Sequence, residues 1–206
     1  MPHNPEQVLI YHITDVANLP GIIAEKGLCS DAVVAKQNPE IIGYDHIKKR
    51  RLKEIRVPCC EWRRVGEFVP FYFCPRSPML FTINKGNTGR PVGCQKTIVH
   101  LVSTMAAGIA TGKAWAISSG NAGAYHTTFS AKPEALETLD WAAIRATQWQ
   151  GMQHQKSAEF LVADFFPWTA IQEIGCQNSA TADKVCLALA GAIYQPAVAI
   201  KTNWYY

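Results

Sequence analysis

The chain has 206 residues, 48% of them hydrophobic and 17% charged, so it can bury a core without disulfides and is too apolar to be disordered. Residues 1–206 are read as a single domain. No apolar run is long enough to span a membrane and "MPHNPEQVLIYHIT" lacks the basic-then-apolar order of a secretory signal, so the expectation is a cytoplasmic protein with no membrane partner.

From the N-terminus, "VLIYHIT" (Val8 to Thr14) reads as a buried strand. Asp15 or Asn18 then caps a helix over "NLPGIIAEKG", with Gly27 as its stop. "CSDAVVAKQNPEIIGY" is irregular. Asp45 is placed to cap a helix running to about Arg56, with Pro58 beyond it. "EFVPFYFC" and "PMLFTI" read as two strands joined by the turn "PRSP". "NKGNTGRPVG" is a loop, "KTIVHLVS" a strand and "TMAAGIATG" a short helix. "AWAISSGNAGAYHTTF" is a strand that runs into a Gly/Ser/Asn loop.

Further on, "PEALETLDWAAIRATQW" is read as one amphipathic helix with Leu136, Leu139, Ala143 and Ile144 on its inner face. "QGMQHQKS" is a polar connection and "AEFLVAD" a strand. After "AIQEIGC" come a helix at "TADKVCLALAG" and a last strand in "AVAIKTNWYY". Helices and strands mix without regular alternation, which favours an α+β architecture over a doubly wound sheet.

The seven cysteines form no C-x-x-C pair. They are read as reduced thiols, mostly packed as small hydrophobes. A zinc site through Cys59, Cys60, Cys74 and His100 lacks the short paired spacing such sites use, so no metal is expected.

Charge is concentrated in one place. The net charge is +4, yet between His46 and Arg64 eight basic residues (Lys48, Lys49, Arg50, Arg51, Lys53, Arg56, Arg63, Arg64) face only Glu54 and Glu61. Such a patch attracts phosphates or another polyanion; a solvated helix face is the alternative. With Ile47 at zero and roughly 100° per residue, Arg51 falls at about 40°, Ile55 at about 80°, Lys48 at about 100° and Leu52 at about 140°, with Tyr44 at about 60°. Lys49, Arg50 and Lys53 lie off this apolar arc. Arg51 lies inside it. A guanidinium there needs a partner, either an internal carboxylate or an anionic ligand in a cleft. Lys48 can snorkel.

Several segments in order resemble the DarT family, bacterial toxins that ADP-ribosylate DNA. They are "YHIT", "NLPGIIAEKGL", "IGYDHIKKRR", "VGEFVPFYFCPRSPML", "SSGNA" and "AEFLVAD". The resemblance implies an ADP-ribosyltransferase-like fold, with central split mixed or antiparallel sheets and flanking helices. It implies NAD+ as co-substrate and thymidine in single-stranded DNA as acceptor. It further implies a toxin–antitoxin role, with a DarG macrodomain antitoxin as partner, and a place in phage defence. A monomer is expected.

Carried over by motif, Glu159 corresponds to the family's catalytic glutamate, and Arg51 to the arginine used with NAD+ and the target base. His12, Thr14, Tyr72 and Asn121 fall in cofactor-binding positions. Lys48, Lys49, Arg50, Lys53, Arg76 and Met79 fall to the nucleic acid. Ser157 stands where many protein-modifying transferases carry Gln or Glu, which fits a different acceptor. Each residue also has a plainer reading: a core histidine for His12, a capping or turn role for Thr14 and Asn121, core packing for Tyr72 and Met79, and a solvated turn for Arg76. In a strand, Glu159 alternates with Phe160 and shares a face with Leu161. The same fold acting on RNA or protein, or a non-catalytic single-strand-binding module, are the competing expectations.

Overall fold

The structure, a computed structural model, describes residues 4–34 and 45–206. Twelve strands occur among them: β1 (Leu9–Asp15), β2 (Gly27–Cys29), β3 (Arg56–Val57), β4 (Arg63–Arg64), β5 (Phe68–Tyr72), β6 (Ile98–Thr104), β7 (Trp115–Asn121), β8 (Phe129–Ser130), β9 (Ala158–Ala163), β10 (Phe165–Pro167), β11 (Glu173–Cys176) and β12 (Ala197–Ile200). The helices are α1 (Leu19–Ala24), α2 (Asp31–Val34), α3 (Asp45–Lys53), α4 (Pro78–Asn84), α5 (Met105–Ala110), α6 (Trp141–Arg145), α7 (Gln153–Lys156) and α8 (Ser179–Leu189).

Eight strands form one sheet in the order β12-β11-β6-β1-β5-β9-β7-β8. Every pairing in it is antiparallel except β11 with β12. This is the expected α+β fold. Its split lies between β1 and β5, which pair at Tyr11 and Tyr72 alone, while β1 pairs with β6 along its whole length. Pro70 gives the reason. Its carbonyl is turned toward β1, where His12 Nδ1 meets it at 2.8 Å. The nitrogen on that side of a strand residue should also donate across, and in proline it has no hydrogen. The ladder cannot continue, and the sheet opens.

Alternation along β9 separates the two faces. Ala158, Phe160 and Val162 join the large core with Val69 and Phe71, whereas Leu161 and Ala163 join a smaller core with Phe68, Val57 and Val65. Glu159 is therefore on the Leu161 face, as strand periodicity requires.

Several expectations are corrected. "PMLFTI" is not a strand but helix α4: Ser77 caps it by accepting from the Leu80 amide, and Pro78 occupies its first turn. A short apolar run does not distinguish strand from helix by periodicity, and the Ser-Pro start was the deciding signal. The helix expected over residues 133–149 is broken into a 3-10 turn (Pro133–Thr138) and α6, because Asp140 accepts from the Ala143 amide and starts a new helix. Its inner face survives, with Leu136, Leu139, Ala143 and Ile144 all buried.

After α1 the chain turns at Lys26, which takes the left-handed conformation, and Gly27 opens β2. The described α3 begins at Asp45 and ends at Lys53, short of the expected Arg56, which belongs to β3. "QGMQHQKS" contains the short helix α7 with a buried Lys156. The last strand ends at Ile200 and a 3-10 turn follows. The stretch 29–44, read as irregular, instead carries the end of β2 and helix α2 over its first residues, and its remainder, 35–44 with Tyr44, lies outside the described residues. No helix is long and apolar enough to cross a membrane, and no group of three or more His, Cys, Asp or Glu is placed to hold a metal ion, both among the described residues.

Candidate active site

A cavity of about 350 Å³ opens at the split between β1 and β5. Its size is that of a small-molecule site. Eight of the residues assigned to cofactor, nucleic acid or catalysis from the sequence line it together: His12, Thr14, Lys48, Arg51, Tyr72, Met79, Asn121 and Glu159. They come from β1, α3, β5, α4, β7 and β9.

Glu159 is at its floor, with 2% of its side chain exposed. The Arg51 guanidinium grips it with both prongs: Nη1 donates to both carboxylate oxygens at 3.0 Å and Nη2 to Oε2 at 2.9 Å. The Ala122 amide donates to Oε1 at 3.0 Å. Burial alone would lower the Arg51 pKa, but the adjacent Glu159 carboxylate overrides it and the net shift is upward. Arg51 is thus a fixed cation. The two alternatives for this arginine collapse into one, because the internal carboxylate that partners it lines the cleft.

The backbone under this pair is bent to fit. β7 pairs with β9 at Ile117–Phe160 and again at Asn121–Ala158, so β7 has extra residues between the two pairs, a bulge. Ser118 fills the interrupted ladder. Its hydroxyl accepts from the Glu159 amide at 2.8 Å and donates to the Gly120 carbonyl at 2.6 Å. Gly120 has no room for a side chain, since a Cβ there would overlap the His154 ring. Asn121 then accepts from the Gly123 amide at 2.8 Å, a turn that brings the Ala122 amide onto Glu159. Asn121 thus has the turn role, and it also lines the cavity.

His12 is held by its hydrogen bond to the Pro70 carbonyl. The carbonyl can only accept, so Nδ1 carries the hydrogen and Nε2 is left as an acceptor. Burial lowers its pKa, against the opposing pull of that bond and of Asp31, which keeps the ring neutral. Thr14 accepts from the Asn18 amide side chain at 3.0 Å. Lys48 is ion-paired to Asp31 of α2 at 3.0 Å. Tyr72 is directly opposite Glu159 in the β5–β9 register, and burial raises its pKa so that it stays a neutral phenol. Ser157 lines the cavity and donates to the Gln153 carbonyl at 2.7 Å.

The remaining candidates lie elsewhere. Lys49 and Lys53 are exposed on the outer face of α3, and Arg50 is over the Tyr125 ring at 5.6 Å. Arg76 is outside the cavity, with its guanidinium 4.5 Å from the centre of the Tyr206 ring. Sequence reasoning missed Ser118, Ala122, Asn18 and Asp31. Ser118 and Ala122 act through backbone geometry, for which "SSGNA" offered only the hint of a turn.

The family model for the ssDNA thymidine ADP-ribosyltransferase DarT matches residues 11–206. A DNA ADP-ribosyl transferase of Thermus aquaticus is 37% identical over 206 residues, 98% of this chain and 90% of that protein. The structure of Thermus sp. 2.9 DarT in complex with ADP-ribosylated ssDNA superposes with a TM-score of 0.90 at 36% identity, covering 100% of both chains. The same enzyme in complex with NAD+ gives a TM-score of 0.85 at 34% identity over 99% of this chain and 100% of that one.

Proposed function

The chain belongs to the DarT family of single-stranded-DNA thymidine ADP-ribosyltransferases, and we propose that the Arg51–Glu159 pair in the sheet split is its catalytic centre. The protein is an NAD+-dependent DNA ADP-ribosyltransferase that moves ADP-ribose to thymidine and releases nicotinamide. The observation that carries the site assignment is a buried carboxylate, fixed by a two-pronged arginine and a backbone amide, facing a cavity.

The cavity's donors suit a dinucleotide. Arg51 and Lys48 are cations for phosphates, and Thr14, Asn18 and Asn121 are polar groups for riboses or a carboxamide. His12 offers a neutral acceptor. Ile22, Leu28, Ile47 and Met79 give apolar walls. NAD+ supplies the ribosyl group and the leaving nicotinamide.

Glu159 acts where charge develops. As the bond from ribose to nicotinamide breaks, its electron pair leaves with the ring, and the carboxylate offsets the positive charge growing on the sugar. The thymine nitrogen forms the new bond and gives up its proton, for which Glu159 is the acceptor in reach of the same point. Arg51 holds the carboxylate in place, and it is the cation available to a base that loses a proton. Water is limited because the carboxylate is buried. Lys49, Arg50 and Lys53 hold the phosphates of the strand, with Met79 at the cavity wall. The protein acts in the cytoplasm as a monomer, and a DarG macrodomain antitoxin is its partner, a reading that rests on family membership.

Labelled NAD+ with oligonucleotides that contain or lack a single thymidine tests the reading. Label should pass to the thymidine strand alone. Equal labelling of a thymidine-free strand, an RNA or the protein itself would assign a different acceptor.

A further inference from the structure

We propose that the loop carrying Trp62, with Lys53 and Arg56 beside it, is an accessory single-strand contact that stacks a base of the same DNA strand outside the cleft. The proposal rests on the DNA-modifying function above.

Trp62 is 62% exposed and Tyr125 is 72% exposed, and they are the two aromatics among the exposed large hydrophobic side chains of the described residues. Both border α3, the helix that sends Arg51 into the cleft. Tyr125 is in the loop that follows Asn121, under the Arg50 guanidinium, and its hydroxyl is hydrogen-bonded to the Glu54 carboxylate. Two residues further on, Arg56 donates to the Trp62 carbonyl at 3.0 Å. Two contacts, Tyr125 with Arg50 and Glu54 and Arg56 with Trp62, are thus joined by the short chain from Glu54 to Arg56 between the end of α3 and the loop at residues 58–62.

The charges along this stretch suit a polyanion. Lys49, Lys53 and Arg56 are exposed, and Lys49 and Lys53 have no ion-pair partner among the described residues. Arg50 Nε is buried without a hydrogen-bond partner among them. Against these stand Glu54, engaged by Tyr125, and Glu61. Exposed aromatics interleaved with cations are what sequence-tolerant single-strand binding uses.

The loop is held rigidly. Val57, Cys60 and Val65 are buried beneath it, and the Cys60 thiol donates to the Trp115 carbonyl at 3.3 Å. Arg64 donates to the Leu52 carbonyl at 3.1 Å, and Gly66 leaves no space between itself and Leu52. Glu61 and Trp62 are both left-handed, with φ of 54° and 58°, a conformation that side chains beyond glycine rarely adopt. The chain accepts this while leaving the indole in solvent, where it adds nothing to the core.

The test measures binding and transfer for wild type, Trp62→Ala and Trp62→Phe. It uses oligonucleotides of about 5 and about 20 nucleotides, each with one thymidine, a span chosen around the site sizes of single-strand binders. Trp62→Ala should weaken Kd for the longer strand by roughly 5- to 150-fold, the loss of one stacked base. It should leave Kd and turnover on the short strand unchanged, and Trp62→Phe should recover part of the loss. Equal effects on both lengths, or none, overturn the accessory contact while wild-type transfer still upholds the enzyme. A wild type that modifies neither strand overturns the DNA reading itself. A change in oligomeric state on Trp62→Ala with unaltered DNA affinity would assign the loop to a protein contact, against the proposal.

Discussion

Arg51 and Glu159, 108 residues apart in the chain, meet through three hydrogen bonds of 2.9 to 3.0 Å at the floor of the cleft. The pair is both a buried ion pair of the fold and the proposed catalytic centre. Changes at its two ends should therefore separate stability from chemistry.

Glu159→Gln keeps shape and removes charge. Interactions made mainly in the transition state contribute to turnover more than to affinity. Single-turnover transfer to a thymidine oligonucleotide should fall by at least about 10²–10⁴-fold. NAD+ and DNA binding should stay within about an order of magnitude. A Gln variant that keeps most of its rate would falsify the role.

Arg51→Lys should lose most transfer, because one point charge cannot reproduce the planar grip on Glu159. It keeps a cation beside the carboxylate, so thermal stability should change modestly. Arg51→Ala leaves the buried carboxylate without its cation, and losing one partner of a buried pair typically costs about 3–5 kcal/mol. At roughly 2–4 °C per kcal/mol for a domain of this size, melting should show a clear drop for Ala beyond that for Lys. Equal melting temperatures for the two variants would contradict a buried pair.

Ser118 touches the Glu159 backbone, its hydroxyl accepting from the amide at 2.8 Å and lying 3.3 Å from the carbonyl oxygen. Ser118→Ala leaves that amide unpaired at the bulge and frees the Gly120 carbonyl. We expect a lower kcat with KM for NAD+ little changed, and about 1–3 kcal/mol of lost stability from the unsatisfied groups. A wild-type kcat in a destabilised protein would reduce Ser118 to a structural role.

His100 is fully buried; its Nε2 meets the Pro75 carbonyl at 2.9 Å, and its Nδ1 is 3.2 Å from the Tyr205 hydroxyl. Burial lowers its pKa from 6.5 to about 4. Between those values the unfolded chain takes up a proton that the folded one refuses, so stability is full above pH 6.5 and falls as the pH drops toward 4. The expected loss is about 3 kcal/mol, and His12 shifts in the same direction. Denaturant titrations across this range should show the slope, and His100→Gln should flatten it. A wild-type stability independent of pH there would contradict the assignment.

Charge reversal at Lys49, Arg50 and Lys53 together should weaken single-stranded DNA binding. The slope of log K against log salt should shrink by about 0.7 for each phosphate that the variant no longer neutralises. The folded state should survive, because Lys49 and Lys53 are exposed and the half-buried Arg50 packs on the exposed Tyr125 ring and not in the core. Unchanged affinity in low salt would remove the patch from the DNA path.

The sequence alone determined the local matters. The strands around His12 and Glu159, the face of Glu159, and the isolation of Arg51 on the apolar arc of α3 follow from periods of 2 and 3.6, which are local properties. The segments that resemble the DarT family are contiguous strings of the chain, so their order was legible as well. Capping decided what periodicity could not: Ser77 turned "PMLFTI" into a helix and Asp140 divided another, because a side chain that accepts a backbone amide starts a helix whatever the apolar pattern around it.

Only the tertiary structure decided which carboxylate answers Arg51, and it placed Lys48 against Asp31 and Arg76 against Tyr206. It also placed the cleft. Pro70 announces a missing donor in the sequence, but whether that gap faces a neighbouring strand, a solvent edge or a split depends on the order in which distant strands pair. That order is set by long-range packing, which no local window contains.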